Sequence, residues 1–124
     1  MNIKDSVALI TGAAGGIGRA LALELAKREV GSLALVDHSE AIHQVAKEVN
    51  DEAKDHVATG YSGDVTDPEF RHRVYRETTE RFGTVNICVP AAGITRDALA
   101  VKVDKISRGV SVYPIETFRQ VHHP

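Results

Sequence analysis

The 124-residue chain predicts an α/β fold built on an open, doubly wound parallel sheet. Three observations predict it. Short apolar runs alternate with longer stretches whose apolar residues recur at helical spacing. A glycine-rich turn joins the first run to the first helical stretch, and the second run ends on an acidic residue, Asp37. Alternation of this kind calls for parallel strands joined by right-handed crossover helices.

Taken in order, Val7-Ala8-Leu9-Ile10 is a compact apolar run that suits a buried strand and ends in Thr11-Gly12. Ile17, Leu21 and Leu25 follow at helical spacing and predict a first helix over residues 16–29, closed by Gly31. Leu33-Ala34-Leu35-Val36 is the second strand, ending at Asp37. Ser39 is the expected N-cap of a second helix whose inward face is Ile42, Val45, Ala46, Val49 and Ala53. Residues 57–61 form a weaker third strand. Asp67-Pro68 then starts a third helix, proline being tolerated in a first turn, with Phe70, Val74, Thr78 and Phe82 along one side. Residues 85–89 make the fourth strand. Beyond Gly93 the rhythm changes. Leu99, Val101 and Val103, the turn Ser107-Arg108-Gly109, then Val110, Val112 and Tyr113 predict a small β-hairpin over residues 99–113. Pro114 to Phe118 reads as the start of a fourth helix. No repeat or linker divides the chain, so residues 1–124 are read as one domain.

Composition narrows the function classes. A hydrophobic fraction of 43%, a charged fraction of 26% and a net charge of −2 are those of an ordinary globular domain. They give no electrostatic basis for a nucleic-acid or anionic-lipid partner. No apolar stretch is long enough for a signal-peptide core or a membrane span, so a cytoplasmic protein is expected. The one cysteine, Cys88, sits in an apolar run and reads as a small buried hydrophobe. The six histidines show no metal-ligand spacing: His38 and His43 do not share a helix face, and His122-His123 lie in a tail. No metal site is expected.

The chemistry concentrates at the ends of the predicted strands. Gly12-Ala13-Ala14-Gly15-Gly16-Ile17-Gly18 lies between the first strand and first helix. There Gly12 permits a tight turn, Gly16 lets the backbone approach a pyrophosphate, and Gly18 allows close helix–strand packing. The helix N-terminus adds N–H groups and a positive dipole end. Asp37, about 20 residues on, is placed to accept the ribose hydroxyls of NAD, and its charge opposes the 2′-phosphate of NADP. With no Lys or Arg in the glycine turn or directly after Asp37, NAD is the expected cofactor over NADP. Gly63-Asp64-Val65-Thr66-Asp67 reads on its own as a polar loop in which Asp67 caps a helix.

The spacing Gly-x3-Gly-x-Gly, with Thr11 in front and Ile17 between the last two glycines, resembles the cofactor signature of the short-chain dehydrogenases/reductases. The resemblance implies a Rossmann-like sheet and hydride transfer between NAD(H) and an alcohol or ketone, with homo-oligomers common. It gives Asp64-Val65 the role of meeting adenine, and Ala92-Gly93 that of approaching the cofactor through backbone. Pro90 and Ala91 stand where the family has two asparagines, which puts the bracing of the central sheet in doubt. The family's catalytic Ser and Tyr-x3-Lys have no counterpart here. Four positions after Tyr61, Tyr75 and Tyr113 stand Val65, Thr79 and Thr117. The chain therefore reads as the dinucleotide-binding portion of such an enzyme, truncated after about four strands, with no catalytic residue of its own and no turnover expected. The alternative is a non-catalytic NAD-binding or interaction module.

Overall fold

The computed structural model describes residues 3–91. After a short 3-10 turn at Ile3–Asp5, the elements are β1 (Val7–Thr11), α1 (Gly16–Lys27), β2 (Ser32–Asp37), α2 (Ile42–Ala53), β3 (Ala58–Ser62), α3 (Pro68–Phe82) and β4 (Ile87–Pro90). The four strands among the described residues are all parallel, in the order β3-β2-β1-β4. The predicted hairpin, the fourth helix, and Ala92 and Gly93 lie outside the described residues.

Strand alternation sorts the apolar residues into two layers. Ala8 and Ile10 of β1, Leu33 and Leu35 of β2, and Ile87 and Val89 of β4 turn to one face. They meet Leu21 and Leu25 of α1 and Ile42, Val45 and Val49 of α2. Val7, Leu9, Ala34, Val36 and Cys88 turn to the other, where Phe70 and Val74 of α3 cover them with Tyr61 and Val85. Each fully buried Leu or Ile contributes about 1.5–3 kcal/mol, so both layers matter to stability. The chain passes from β1 through β2 to β3 on one side of the sheet. It then crosses under α3 to add β4 on the far side of β1. The order of strands thus reverses beside β1, and ligand crevices in open α/β sheets form at the carboxyl ends of the strands near such a reversal.

Several boundaries differ from the sequence expectation for identifiable reasons. Helix α1 stops at Lys27, two residues early. Val30 N–H donates to Leu25 C=O and Glu29 N–H to Ala26 C=O, a Schellman closure with Glu29 at φ 62°. Glutamate takes the left-handed position expected of glycine. Gly31 is needed for a different reason: a Cβ there would lie 2.8 Å from Ser6 C=O. Helix α2 is capped by Ala41 with no side-chain cap bond. Ser39 instead closes the preceding turn, its Oγ accepting from Ala41 N–H at 3.1 Å. The third strand is shifted by one residue because Asn50 of α2 clamps its entry. Asn50 Oδ1 accepts from Val57 and Ala58 N–H at 2.8 and 2.7 Å, and its Nδ2 donates to Ala58 C=O. The fourth strand begins at Ile87, where the alignment with Ala8 starts, and runs to Pro90 beside Thr11.

Candidate functional site

The glycine turn leaves β1 through two left-handed residues, Gly12 at φ 71° and Gly16 at φ 55°. Between them the turn is tied to β2: Ala13 N–H donates to Val36 C=O at 3.1 Å, and Ala14 N–H to Asp37 Oδ2 at 3.0 Å. Gly15 is the N-cap of α1, so no side chain caps the first-turn amides, and no acidic residue occupies that turn. Those amides have no partners within the helix. A Cβ at Gly15 or Gly16 would meet nothing within 4 Å, whereas one at Gly18 would lie 2.2 Å from Gly12 C=O. The turn is therefore open on its outer side and closed on its inner side. Such a shape suits a pyrophosphate laid over the start of a helix.

Asp37 is 8% exposed at the end of β2. Its Oδ2 accepts from Ala14 N–H, and its Oδ1 accepts from Ser39 N–H at 3.0 Å, with His38 Nδ1 3.2 Å away. An ionised carboxylate has about four acceptor directions, so capacity remains for two hydroxyl donors. Its backbone C=O also accepts, from Gly63 N–H at 2.9 Å, which brings the loop after β3 alongside. A Cβ at Gly63 would strike the Phe70 ring at 2.4 Å. No sign of this shows in the sequence, because the ring that crowds Gly63 lies seven residues on, in α3.

In the following loop, Asp64 Oδ1 accepts from Thr66 N–H and Thr66 Oγ1 at 2.8 and 2.7 Å. These bonds hold the Asp64 carboxyl below its ordinary range, so it is ionised at neutral pH. Val65 packs partly buried against the α3-side core. Asp67 N–H donates to Asp64 C=O, and Asp67 Oδ1 caps α3 by accepting from Glu69 N–H.

These three segments meet in one open cleft of about 640 Å³, lined by Thr11, Gly12, Gly15, Asp37, His38, Gly63, Asp64 and Val65. Of the residues expected from sequence, Gly12, Gly15, Asp37, Asp64 and Val65 line it. Gly16 is exposed at the open side of the turn beside Gly15, while Ile17 packs on the first core layer and Gly18 against Gly12. Thr11 and Gly63, which flank the motifs read from sequence, join them in the lining, and His38 is the addition that the fold reveals. A neighbouring cleft of about 650 Å³ shares Gly63 and Asp64 and continues along α3 past Phe70 and Arg73. Neither Tyr61 nor Tyr75 lines the first cleft; both pack in the α3-side layer. Cys88 is buried, and burial pushes its thiol up to about 11, so it is an un-ionised, inert side chain at neutral pH. Among the described residues there is no group of three or more His, Cys, Asp or Glu able to hold a metal, and no helix long and apolar enough to cross a membrane.

The family model for short chain dehydrogenases matches residues 6–113. The chain is 36% identical over 103 residues to a 3-oxoacyl-(acyl-carrier-protein) reductase of Vibrio cholerae, covering 83% of this chain and 40% of that protein. It is 34% identical over 117 residues to L-rhamnose-1-dehydrogenase of Scheffersomyces stipitis, covering 89% of this chain and 44% of that one. Among solved structures it resembles levodione reductase, with 35% identity and a TM-score of 0.64 over 70% of this chain and 34% of that one. A Burkholderia phymatum short chain dehydrogenase/reductase in complex with NAD matches at 28% identity, with a TM-score of 0.65 over 71% of this chain and 31% of that one. The chain thus spans about 40% of the length of the curated relatives it matches.

Proposed function

Because the chain belongs to the short-chain dehydrogenase family and carries its dinucleotide-binding part, we propose that the cleft at the ends of β1, β2 and β3 binds NAD in preference to NADP. The observation that carries this reading is the meeting of three separate segments in one cleft, with the Asp37 carboxylate between the glycine turn and the Asp64 loop. The pyrophosphate lies over Gly15 and Gly16 and takes the free amides at the start of α1. Asp37 accepts the adenosine ribose hydroxyls, and Asp64-Val65 meets the adenine. Ala92-Gly93, outside the described residues, keeps the role of backbone approach that the family resemblance implies. When bound, the nicotinamide supplies or takes up the hydride exchanged with an alcohol or ketone.

The chain's own groups bind and orient but move no proton to the substrate. The three tyrosines lack a lysine four positions on, and of the two described ones Tyr61 is in the core and Tyr75 packs partly buried against it. We therefore infer that these 124 residues hold and orient the dinucleotide, and no turnover is expected of them alone. A reducing cytoplasm suits the free, buried Cys88.

Calorimetric titration of the full chain with NADH and NADPH tests the reading. NADH binding tighter than NADPH by about tenfold or more is expected from the like charge that a 2′-phosphate meets at Asp37. The reverse order overturns the role of Asp37. Binding of neither overturns the dinucleotide site.

A further inference from the structure

We propose that Arg71 is a positioning residue that fixes the Asp64–Val65 loop in the form required for the adenine end of the dinucleotide. This deepens the reading above and rests on it. Arg71 lies one turn into α3 and is only 6% exposed, beside Phe70 and Val74, which are buried with it. A guanidinium in such a place is costly unless its N–H groups are bonded, and an apolar side chain of the same length fills the space more cheaply. Its Nη1 donates to Val65 C=O. Its Nε is buried without a partner among the described residues. Packing therefore does not account for the charge, and the bond to Val65 is what the charge provides.

That bond falls on a particular peptide unit. The Val65 C=O and the Thr66 N–H belong to the same Val65–Thr66 peptide. Arg71 holds the C=O end, while Asp64 Oδ1 holds the N–H end at 2.8 Å. With both ends engaged, the peptide cannot flip, and the direction of the Asp64 carboxylate is fixed with it. Restraint matters here because the loop borders two neighbouring clefts. Gly63 and Asp64 line both, and although Gly63 rests on the Phe70 ring, the exposed Asp64 is confined by no strand pairing. Among the described residues the turn is also shaped by Thr66 Oγ1 donating to Asp64 Oδ1, Gly63 N–H to Asp37 C=O and Asp67 N–H to Asp64 C=O. The Arg71 charge also adds, behind the two Thr66 bonds and His38, to the lowering of the Asp64 carboxyl.

The test uses the full chain with Arg71→Met and Arg71→Lys. It reads amide hydrogen exchange at Thr66 and Asp67, and binding of AMP and of inorganic pyrophosphate. In R71M, exchange at Thr66 is expected to rise about tenfold and AMP to bind about tenfold more weakly, because the loop loses one of its two holds. Pyrophosphate binding and exchange in β1 and β2 stay as in the parent, and R71K recovers part of the AMP affinity. Unchanged Thr66 exchange and AMP binding in folded R71M overturn the proposal. An equal loss of AMP and pyrophosphate binding in both variants, or unfolding of both, assigns Arg71 to general stability and also overturns it. A parent chain that binds neither probe overturns the dinucleotide reading, and faster Thr66 exchange in R71M then supports the loop contact alone.

Discussion

Two helices begin at the same end of the sheet, and they begin in opposite ways. Helix α1 starts on Gly15 and Gly16, with no side-chain cap and no acidic residue in its first turn. Helix α3 starts on Asp67-Pro68-Glu69, with the Asp67 carboxylate accepting from Glu69 N–H and a second acid in the first turn. Both N-termini carry the same partial positive charge. At α3 the chain's own carboxylates satisfy it. At α1 no described side chain does so, and the turn is shaped so that something else can. A helix start that a sequence of this length leaves uncapped, beside a cleft, is the one to examine for a bound anion.

The largest effect should come from breaking the closed side of the α1 turn. Gly18→Ala places a methyl 2.2 Å from Gly12 C=O, a backbone atom that cannot move without opening the turn. A loss of about 3 kcal/mol is expected, a large share of a small domain's stability, and urea unfolding measures it. Gly15→Ala is the counterpart on the open side. Gly15 has an extended backbone at φ −162°, and its added methyl meets nothing within 4 Å. That variant should keep its melt while NADH binding falls sharply, because the methyl stands where the phosphates approach. Equal destabilisation by the two substitutions would remove the distinction between an inner structural wall and an outer binding wall.

The next effect belongs to the residue that joins both ends of the cleft. Asp37→Ala leaves the part-buried Ala14 and Ser39 N–H groups without their acceptors, at a cost of about 1 kcal/mol, the low end for an unsatisfied donor. Asp37→Asn keeps one acceptor oxygen and removes the charge, so it should lose less stability. Both should bring NADPH and NADH affinities closer together. An Asn variant that keeps the full preference for NADH would show that the charge does not set it.

The contrast between the two helix starts also explains what could be read from sequence. Glycine at positions 12, 16 and 18 and the Asp67-Pro68 start are local demands: left-handed φ, close approach and capping act within a few residues, so the residue type announces the geometry. The two-layer core was equally legible, because strand alternation and the spacing of Ile42, Val45 and Val49 on α2 need no knowledge of partners. Long-range side-chain contacts were not. Arg71 reads as one more charged residue in a polar helix until Val65 is seen beside it. Asn50 reads as a surface amide until β3 arrives to be clamped. Gly31 invited the reading of a helix stop, but Glu29 takes that position and Gly31 serves the passage under Ser6. In each case the sequence names the residue and only the fold names the partner.

The smallest effect sharpens the comparison at the α3 end, where side chains rather than glycines set the loop. Asp64 has its carboxyl held low by the two bonds from Thr66. Because the folded value is depressed, the ionised form is favoured by folding. The stabilising contribution is complete above the ordinary value of 3.8 and disappears as pH falls through the lower folded value. Asp64 is exposed, so the gain is modest. Asp64→Ala should melt slightly below the parent at pH 7, and the two melting curves should converge as the pH is taken below 3.8. At pH 7 the same variant should bind AMP more weakly than the parent, with pyrophosphate unaffected. A gap in melting temperature that persists unchanged into acid would mean that the loop depends on the shape of the Asp64 side chain and not on its charge. The α3 corner would then be built on the same terms as the glycine turn, by fit alone.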